Sequence, residues 1–200
     1  MTVHPLPLRF VRSAVDVRDL PPGPVEIAIV GRSNVGKSSL INAVANQKAL
    51  AHVSNTPGRT QLINQFQYHR GSVNHGMVID LPGYGYAKVP EKIRSTWQRM
   101  IEGYLLERQE LVLVFVLVDG EIGPTKLDVQ MLEWLRHNEV PHTVVATKAD
   151  KVKATKRADR HRELAQGCQL DLGDVLWVSA SKGAGIETLR SRISGLLTLV

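Results

Sequence analysis

The sequence predicts an α/β fold, a three-layer α/β/α sandwich around a mostly parallel six-stranded sheet with one antiparallel edge strand. Short β-rich segments alternate with segments of helical periodicity along most of the chain, a pattern typical of parallel strands joined by helices. The segment 111–118 is apolar throughout, as expected for a central strand that is buried on both faces. We therefore expect one domain at 25–200, preceded by an N-terminal extension at 1–24.

The individual elements follow from periodicity and from turn residues. Strands are predicted at 25–30, 62–68, 77–80, 111–118, 143–146 and 175–178. Helices are predicted at 39–45, 93–105, 127–135, 155–167 and 186–197. Turns are expected at Arg70-Gly71 and at Asn74-His75-Gly76, between the second and third strands. Within the extension, residues 9–15 are a candidate edge strand.

Composition narrows the classes of function. The 200 residues carry a formal charge of +6, which favours polyanionic partners such as RNA or anionic lipid, although a basic protein without such a partner would also fit this charge. A single cysteine, Cys168, excludes an intramolecular disulfide framework and a cysteine-rich zinc cluster. The N-terminus has no signal-peptide pattern, and the longest apolar run is too short to span a membrane. We expect a cytoplasmic monomer with no membrane span and no DNA partner.

The first predicted strand is followed by a phosphate-binding motif. Its sequence is Gly31-Arg32-Ser33-Asn34-Val35-Gly36-Lys37-Ser38, which fits G-x-x-x-x-G-K-S. The two glycines allow backbone N–H groups to wrap an anion at the start of a helix. Lys37 would reach the β- and γ-phosphates, and the Ser38 hydroxyl would bind Mg²⁺.

The loop after the 77–80 strand is the second candidate site segment. It reads Asp80-Leu81-Pro82-Gly83. Ligands of an open α/β sheet lie beyond the carboxyl ends of the strands, so this loop and the phosphate-binding loop should meet there. Asp80 would hold Mg²⁺ through water, and the Gly83 N–H would contact the γ-phosphate, so that the loop changes when that phosphate leaves.

Two further loops point to the base. Thr147-Lys148-Ala149-Asp150 follows the 143–146 strand, and Val178-Ser179-Ala180 closes the last one. A carboxylate at Asp150 accepts hydrogen bonds from the N1–H and N2–H₂ edge of guanine, which adenine lacks, so the loop favours GTP over ATP. The stem of Lys148 would lie across the base, and backbone near Ser179 would contact the guanine O6.

Together these loops resemble the Ras-like translation-factor class of GTPases. More closely, the chain is similar to the EngB family of bacterial ribosome-assembly GTPases over essentially its whole length from about residue 8. The match is carried by the phosphate-binding loop, Thr56-Pro57-Gly58-Arg59-Thr60-Gln61, Asp80-Leu81-Pro82-Gly83-Tyr84-Gly85-Tyr86-Ala87 and Thr147-Lys148-Ala149-Asp150. The second and third strings discriminate best, since other GTPases share only their skeletons.

The resemblance implies a Ras-like P-loop GTPase fold that binds GTP or GDP with Mg²⁺ and acts in assembly of the large ribosomal subunit, with an indirect need in cell division and septation. A threonine of the first switch loop would join Ser38 as a Mg²⁺ ligand when GTP is bound. The residues alone leave Thr56 and Thr60 open, and the family string implies Thr60. It also implies catalytic roles for Lys37, Thr60 and Gly83. The switch-loop residues expected near the nucleotide are Gly58, Arg59, Thr60, Gln61 and Leu62.

Two positions depart from the wider GTPase pattern, and Asn34 bears on how the site could compensate for the second. Thr147 stands where Asn is usual, and its shorter side chain suggests modest guanine affinity. Tyr84 stands where Ras-type enzymes have a water-orienting Gln, so we expect slow hydrolysis. Asn34 resembles residues of GTPases that bind K⁺ beside the phosphates, where the ion would supply positive charge.

Two other functions have to be weighed against a GTPase switch. An ATPase or small-molecule kinase would need an acceptor site and an Arg-rich lid, and neither is evident. A nucleotide-dependent RNA- or ribosome-binding module with little turnover is compatible with Tyr84.

The candidate contacts with ribosomal RNA are two basic groups. They are Lys148, Lys151, Lys153, Lys156, Arg157, Arg160 and Arg162, and Arg9, Arg12 and Arg18.

Overall fold

A seven-stranded sheet forms the middle layer of the computed structural model, which describes residues 4–51, 62–70, 73–85 and 91–198. The strands are β1 (Leu8–Ala14), β2 (Glu26–Gly31), β3 (Ile63–Arg70), β4 (Val73–Asp80), β5 (Leu111–Asp119), β6 (His142–Thr147) and β7 (Val175–Trp177). The α-helices are α1 (Lys37–Ala45), α2 (Glu91–Glu107), α3 (Lys126–His137), α4 (Arg157–Gly167) and α5 (Ile186–Leu197). None of the helices in these ranges is long and apolar enough to cross a membrane.

The strand order is β1-β3-β4-β2-β5-β6-β7. β3 runs antiparallel to β1 and to β4, and the other neighbouring pairs are parallel. The prediction of a mostly parallel sheet with antiparallel pairing at one edge is confirmed. The predicted number of six strands is wrong, because the candidate edge strand of the extension joins the sheet as β1. Its register runs from Leu8 opposite Tyr68 to Ala14 opposite Ile63.

The helices cover both faces of the sheet. α1 and α5 pack on one face, and α2, α3 and α4 pack on the other. β2 shows how one strand serves both layers: Ile27 and Ile29 face α1 and α5, whereas Ala28 and Val30 face the opposite layer. Successive side chains of a strand point to opposite faces, so a strand that is covered on both sides must be apolar at every position.

The strand β4 begins earlier than the sequence suggested. It starts at Val73, so Asn74-His75-Gly76 lies in the strand and not in a turn. Close packing, and not a turn, explains the glycine at position 76. A Cβ atom on Gly76 would lie 2.7 Å from the Val25 carbonyl oxygen and 2.8 Å from Leu197 Cδ2.

A buried ion pair fastens the C-terminal end of α2 to the start of β2. The Glu26 carboxylate is fully buried and accepts hydrogen bonds from Arg108 at 2.8 and 2.9 Å and from the Tyr104 hydroxyl at 2.6 Å. The hydrogen bond to Glu26 is the main reason that the pKa of Arg108 is raised. This anchor lies at the amino end of β2. It therefore attaches α2 at the end of the strands that is opposite their carboxyl ends.

Candidate nucleotide-binding site

The loop between β2 and α1 has the geometry of an anion-binding site. β2 ends at Gly31 and α1 begins at Lys37, with Gly36 as its N-cap residue at a φ of 103°. Asn34 also has positive φ, 64°. The amides of Asn34, Gly36, Lys37 and Ser38 donate to no acceptor in the described part of the chain. Such unpaired N–H groups at a helix N-terminus are donors for phosphate oxygens.

Lys37 and Asp80 meet at the floor of this loop. Lys37 Nζ lies 2.7 Å from Asp80 Oδ1, and both side chains are buried. The contact is an ion pair that engages Asp80 Oδ1. The Ser38 hydroxyl belongs to the next residue of α1. A hydroxyl and a buried carboxylate are the oxygen donors that Mg²⁺ takes beside nucleotide phosphates, so these residues fit the expected ion.

Gly83 and Tyr84 lie directly against the phosphate-binding loop. Ser33 N donates to the Tyr84 carbonyl oxygen at 3.0 Å, and Tyr84 N donates to the Gly31 carbonyl oxygen at 3.3 Å. Arg32 and Tyr84 form a short parallel bridge. A Cβ atom on Gly83 would come within 3.3 Å of Ser33 N. The Asp80–Gly83 segment, in which Leu81 and Pro82 are also buried, is therefore packed on the loop that it was predicted to approach.

The Tyr84 side chain points away from that loop. Its hydroxyl donates to Asp128 Oδ1 at 2.9 Å, and Asp128 lies in the first turn of α3. The other oxygen of Asp128 accepts from the backbone N and the hydroxyl of Thr125, which caps the helix. Burial is the main reason that the pKa of Tyr84 is raised well above its ordinary value, and the neighbouring Asp128 charge adds to it.

The base-specificity loop is tied to the phosphate-binding loop by Thr147. The Thr147 hydroxyl lies 2.7 Å from the Val35 carbonyl oxygen and 3.2 Å from the Val118 carbonyl oxygen, and it can donate to either. Thr147 is 3% exposed. The hydroxyl thus makes a link between loops despite its short reach, because β6 ends beside Val35.

Lys148 is held by a residue that the sequence did not single out. Its Nζ lies 2.6 Å from Asp119 Oδ2, and the other oxygen of Asp119 accepts from the backbone N of Glu121 and of Ile122. Asp119 is the last residue of β5. Its position at the carboxyl end of a central strand is the sequence signal that would have identified it.

Asp150 is oriented by the last loop of the site. The Ser179 hydroxyl donates to Asp150 Oδ1 at 2.6 Å, and this hydrogen bond is the main reason that the pKa of Asp150 is lowered. Ala149 N donates to the Val178 carbonyl oxygen at 3.0 Å, which joins the two loops through their backbones. The Ala180 amide has no acceptor among the residues that the structure describes, so it remains a donor for a carbonyl oxygen of the base.

The predicted first-switch residues Gly58, Arg59, Thr60 and Gln61, and the competing Thr56, lie outside the described residues. Leu62 is described, and with Asn64 and Asp80 it lines a cavity of about 870 Å³ beside β3. No group of three or more His, Cys, Asp or Glu side chains that could hold a metal occurs within the described ranges. The structure otherwise brings the four predicted loops together at the carboxyl ends of β2, β4, β6 and β7.

Comparison with known proteins agrees with this geometry. A family model described as 50S ribosome-binding GTPase matches residues 26–148. The chain is 49% identical over 182 residues to a probable GTP-binding protein EngB of Desulforamulus reducens, covering 90% of this chain and 87% of that protein. It is 46% identical over 184 residues to the corresponding protein of Pelotomaculum thermopropionicum, covering 90% of each.

Solved structures share the fold. The crystal structure of a probable GTP-binding protein EngB superposes with a TM-score of 0.69 at 25% identity, covering 86% of this chain and 98% of that chain. Aquifex aeolicus Era superposes equally well at 23% identity, over 86% of this chain and 56% of its own. These matches show that the chain belongs to the EngB family of GTP-binding proteins and is a GTPase.

Proposed function

We propose that this GTPase is a slow molecular switch in assembly of the large ribosomal subunit. The observation that carries the proposal is the match of residues 26–148 to GTPases described as binding the 50S subunit. It acts in the cytoplasm as a monomer, and an indirect need in cell division and septation would follow from impaired assembly.

The switch would depend on Mg²⁺ and on the γ-phosphate. Ser38 and Thr60 would ligate the ion, with Asp80 acting through water. Gly83 would offer its N–H to the γ-phosphate, and Lys37 would leave its ion pair with Asp80 to reach the phosphates. When bound, the ion would neutralise charge that develops on the phosphates during hydrolysis.

A K⁺ ion beside Asn34 would supply further positive charge. Asn34 lies within the phosphate-binding loop at a positive φ, and it is exposed. We expect faster GTP turnover in K⁺ than in Na⁺ at equal ionic strength. Identical rates in the two salts would exclude this ion.

A basic surface beside the base-binding loops supports the RNA partner. Residues 148–162 hold seven Lys and Arg side chains and two Asp side chains, a formal +5 against +6 for the whole chain. Three of these cations are paired in the structure, namely Lys148, Arg160 and Arg162. The other four, Lys151, Lys153, Lys156 and Arg157, are exposed and make no ion pair with any described residue. Exposed cations without local partners are those that can bind phosphates of an RNA backbone.

Co-sedimentation with ribosomal subunits tests the proposal. We expect binding to the large subunit that differs between GDP and a non-hydrolysable GTP analogue. Equal binding in both states would contradict a switch, and no binding to the large subunit would contradict the partner.

A pair of double variants tests the surface. Lys153→Gln with Lys156→Gln should weaken binding and lower the dependence of log affinity on log salt concentration by about two, because each lost phosphate contact lowers this slope by roughly one. The matched control is Lys126→Gln with Arg192→Gln, which removes the same charge from exposed positions on α3 and α5. Equal losses in both variants would show that only net charge matters.

The second candidate is a nucleotide-dependent ribosome-binding module with little turnover. The observation that favours it is the engagement of the Tyr84 hydroxyl by Asp128, which directs this side chain away from the phosphates. Multiple-turnover assays with and without large subunits separate the two. Turnover that stays negligible on the subunit would favour the module.

A further inference from the structure

Tyr84 is held at both of its ends. Its backbone hydrogen-bonds to Ser33 and Gly31 of the phosphate-binding loop, at 3.0 and 3.3 Å. Its hydroxyl hydrogen-bonds to the 2%-exposed Asp128 at 2.9 Å. The residue therefore bridges the phosphate-binding loop and the first turn of α3.

Asp128 is a rigid anchor for this bridge. Its second oxygen accepts two hydrogen bonds from Thr125, at 2.7 and 2.8 Å, which close the capping box of α3. Both carboxylate oxygens are thus engaged, so the Tyr84 hydroxyl is held by a carboxylate that has little freedom to rotate.

Gly83 is the residue that this bridge constrains. It precedes Tyr84 directly, and a Cβ atom on Gly83 would lie 3.3 Å from Ser33 N, so little space separates Gly83 from the phosphate-binding loop. The two anchors of Tyr84 therefore limit how far the Gly83 backbone can move from the phosphate-binding loop. A donor that is pre-oriented toward a phosphate oxygen contributes more than one that must be ordered on binding.

We propose that Tyr84 is a positioning residue of the GTPase, whose hydroxyl bond to Asp128 holds the Gly83 N–H in place for the γ-phosphate. Tyr84 occupies the chain position after D-x-x-G, yet it acts through backbone placement and touches no reacting atom. The inference rests on the proposed contact between Gly83 and the γ-phosphate, and it adds the device that maintains this contact.

The test is the substitution Tyr84→Phe, which removes the hydroxyl and keeps the ring. Affinities for GDP and for a non-hydrolysable GTP analogue are measured by competition with a fluorescent nucleotide, and kcat and KM for GTP hydrolysis are measured separately. We expect a loss of about fivefold in affinity for the triphosphate with GDP affinity unchanged, and a matching rise in KM, since one hydrogen bond to a charged acceptor is lost. The matched control is Tyr68→Phe, because the Tyr68 hydroxyl makes a 2.9 Å hydrogen bond to Ser194 on α5, away from the nucleotide loops.

A double-mutant cycle identifies the partner. In an Asp128→Ala background, adding Tyr84→Phe should change the triphosphate-to-diphosphate affinity ratio no further. An equal additional loss in that background would overturn the link through Asp128.

The outcomes are separable. An unchanged affinity ratio in Tyr84→Phe overturns the proposal, even if melting temperature falls. A fall in kcat with an unchanged ratio also overturns it and would place the hydroxyl at the chemical step. Gly83→Ala tests the underlying contact: if this variant keeps the wild-type ratio, the Gly83 contact itself is wrong. If Gly83→Ala lowers the triphosphate-to-diphosphate affinity ratio while Tyr84→Phe keeps the wild-type ratio, only the positioning role of Tyr84 is wrong.

Discussion

Asp150 carries the carboxylate that we propose to bind the guanine base, and the Ser179 hydroxyl orients it. The same hydrogen bond lowers the pKa of Asp150. The carboxylate is therefore ionised at neutral pH and stays ionised to a lower pH than an ordinary Asp carboxylate does. An ionised acceptor in a fixed direction is suited to the two N–H groups of guanine.

Replacing Asp150 by Asn tests this role. We expect Asp150→Asn to lose about 100-fold in GTP affinity, because two hydrogen bonds to a charged acceptor are lost, and to gain affinity for xanthosine triphosphate. Nucleotide competition assays measure both changes. Unchanged GTP affinity would mean that another group reads the base.

Thr147 shows how a short side chain can replace a longer one. Its hydroxyl reaches the Val35 carbonyl oxygen because β6 ends beside the phosphate-binding loop. The modest guanine affinity expected from the size of Thr147 stays a prediction.

The variant Thr147→Val keeps the shape and removes the hydroxyl. GDP and GTP affinities should fall alike, by up to about tenfold, because the link joins loops that hold the base and the phosphates common to both nucleotides. Thr147→Ser should bind as the wild type does. Isothermal titration calorimetry of the three proteins gives the comparison, and wild-type affinity in Thr147→Val would refute the role of the link.

Among the larger elements, α2 is attached to the sheet by a buried ion pair. Its C-terminal end is fixed to β2 by the buried pair of Arg108 and Glu26, while its N-terminal end follows the segment that starts at Gly83.

Arg108→Met should lower the free energy of unfolding by about 3–5 kcal/mol, because it leaves the fully buried Glu26 without its cation. Urea denaturation measures the loss. Combining it with Glu26→Gln should recover part of the stability, since no unpaired charge remains. The control Arg162→Met breaks an exposed pair with Asp159 and should have little effect. A loss as large in the control would contradict the special role of the buried pair.

The elements differ in how well the sequence reveals them. β5 was predicted almost to its ends, because a strand covered on both faces is apolar at every position. β1 was only a candidate edge strand of the extension, because residues 9–13 are all exposed, Phe10 and Val11 included, and their apolar and polar positions do not separate into a buried face and a solvent face. The links from Tyr84 to Asp128 and from Lys148 to Asp119 join residues that are 44 and 29 positions apart, so no local spacing indicates them. The loop motifs, in contrast, were readable because each follows a strand directly.

For the molecule as a whole, nucleotide binding should appear as added stability. A ligand that binds only the folded chain stabilises it by about 2.7 kcal/mol at 100 times its Kd. For a chain of 200 residues this corresponds to a rise in Tm of about 5–10 °C. Differential scanning fluorimetry with GTP and Mg²⁺ should show this shift, and the same concentration of ATP should not. Equal shifts with both nucleotides would contradict the specificity assigned to Asp150.

The bulge in β1 has a consequence for solubility. The register of β1 against β3 shifts between Phe10 and Arg12, and the strand carries exposed arginines at positions 9 and 12 on an edge that pairs with no described strand. An uninterrupted edge strand is a template for the strand of another molecule, whereas a bulge and like charges disfavour that pairing. The opposite edge, β7, has only three residues. Both edge strands of the sheet thus disfavour pairing with a strand of another molecule. This should limit edge-to-edge aggregation of a protein whose central strands are so apolar.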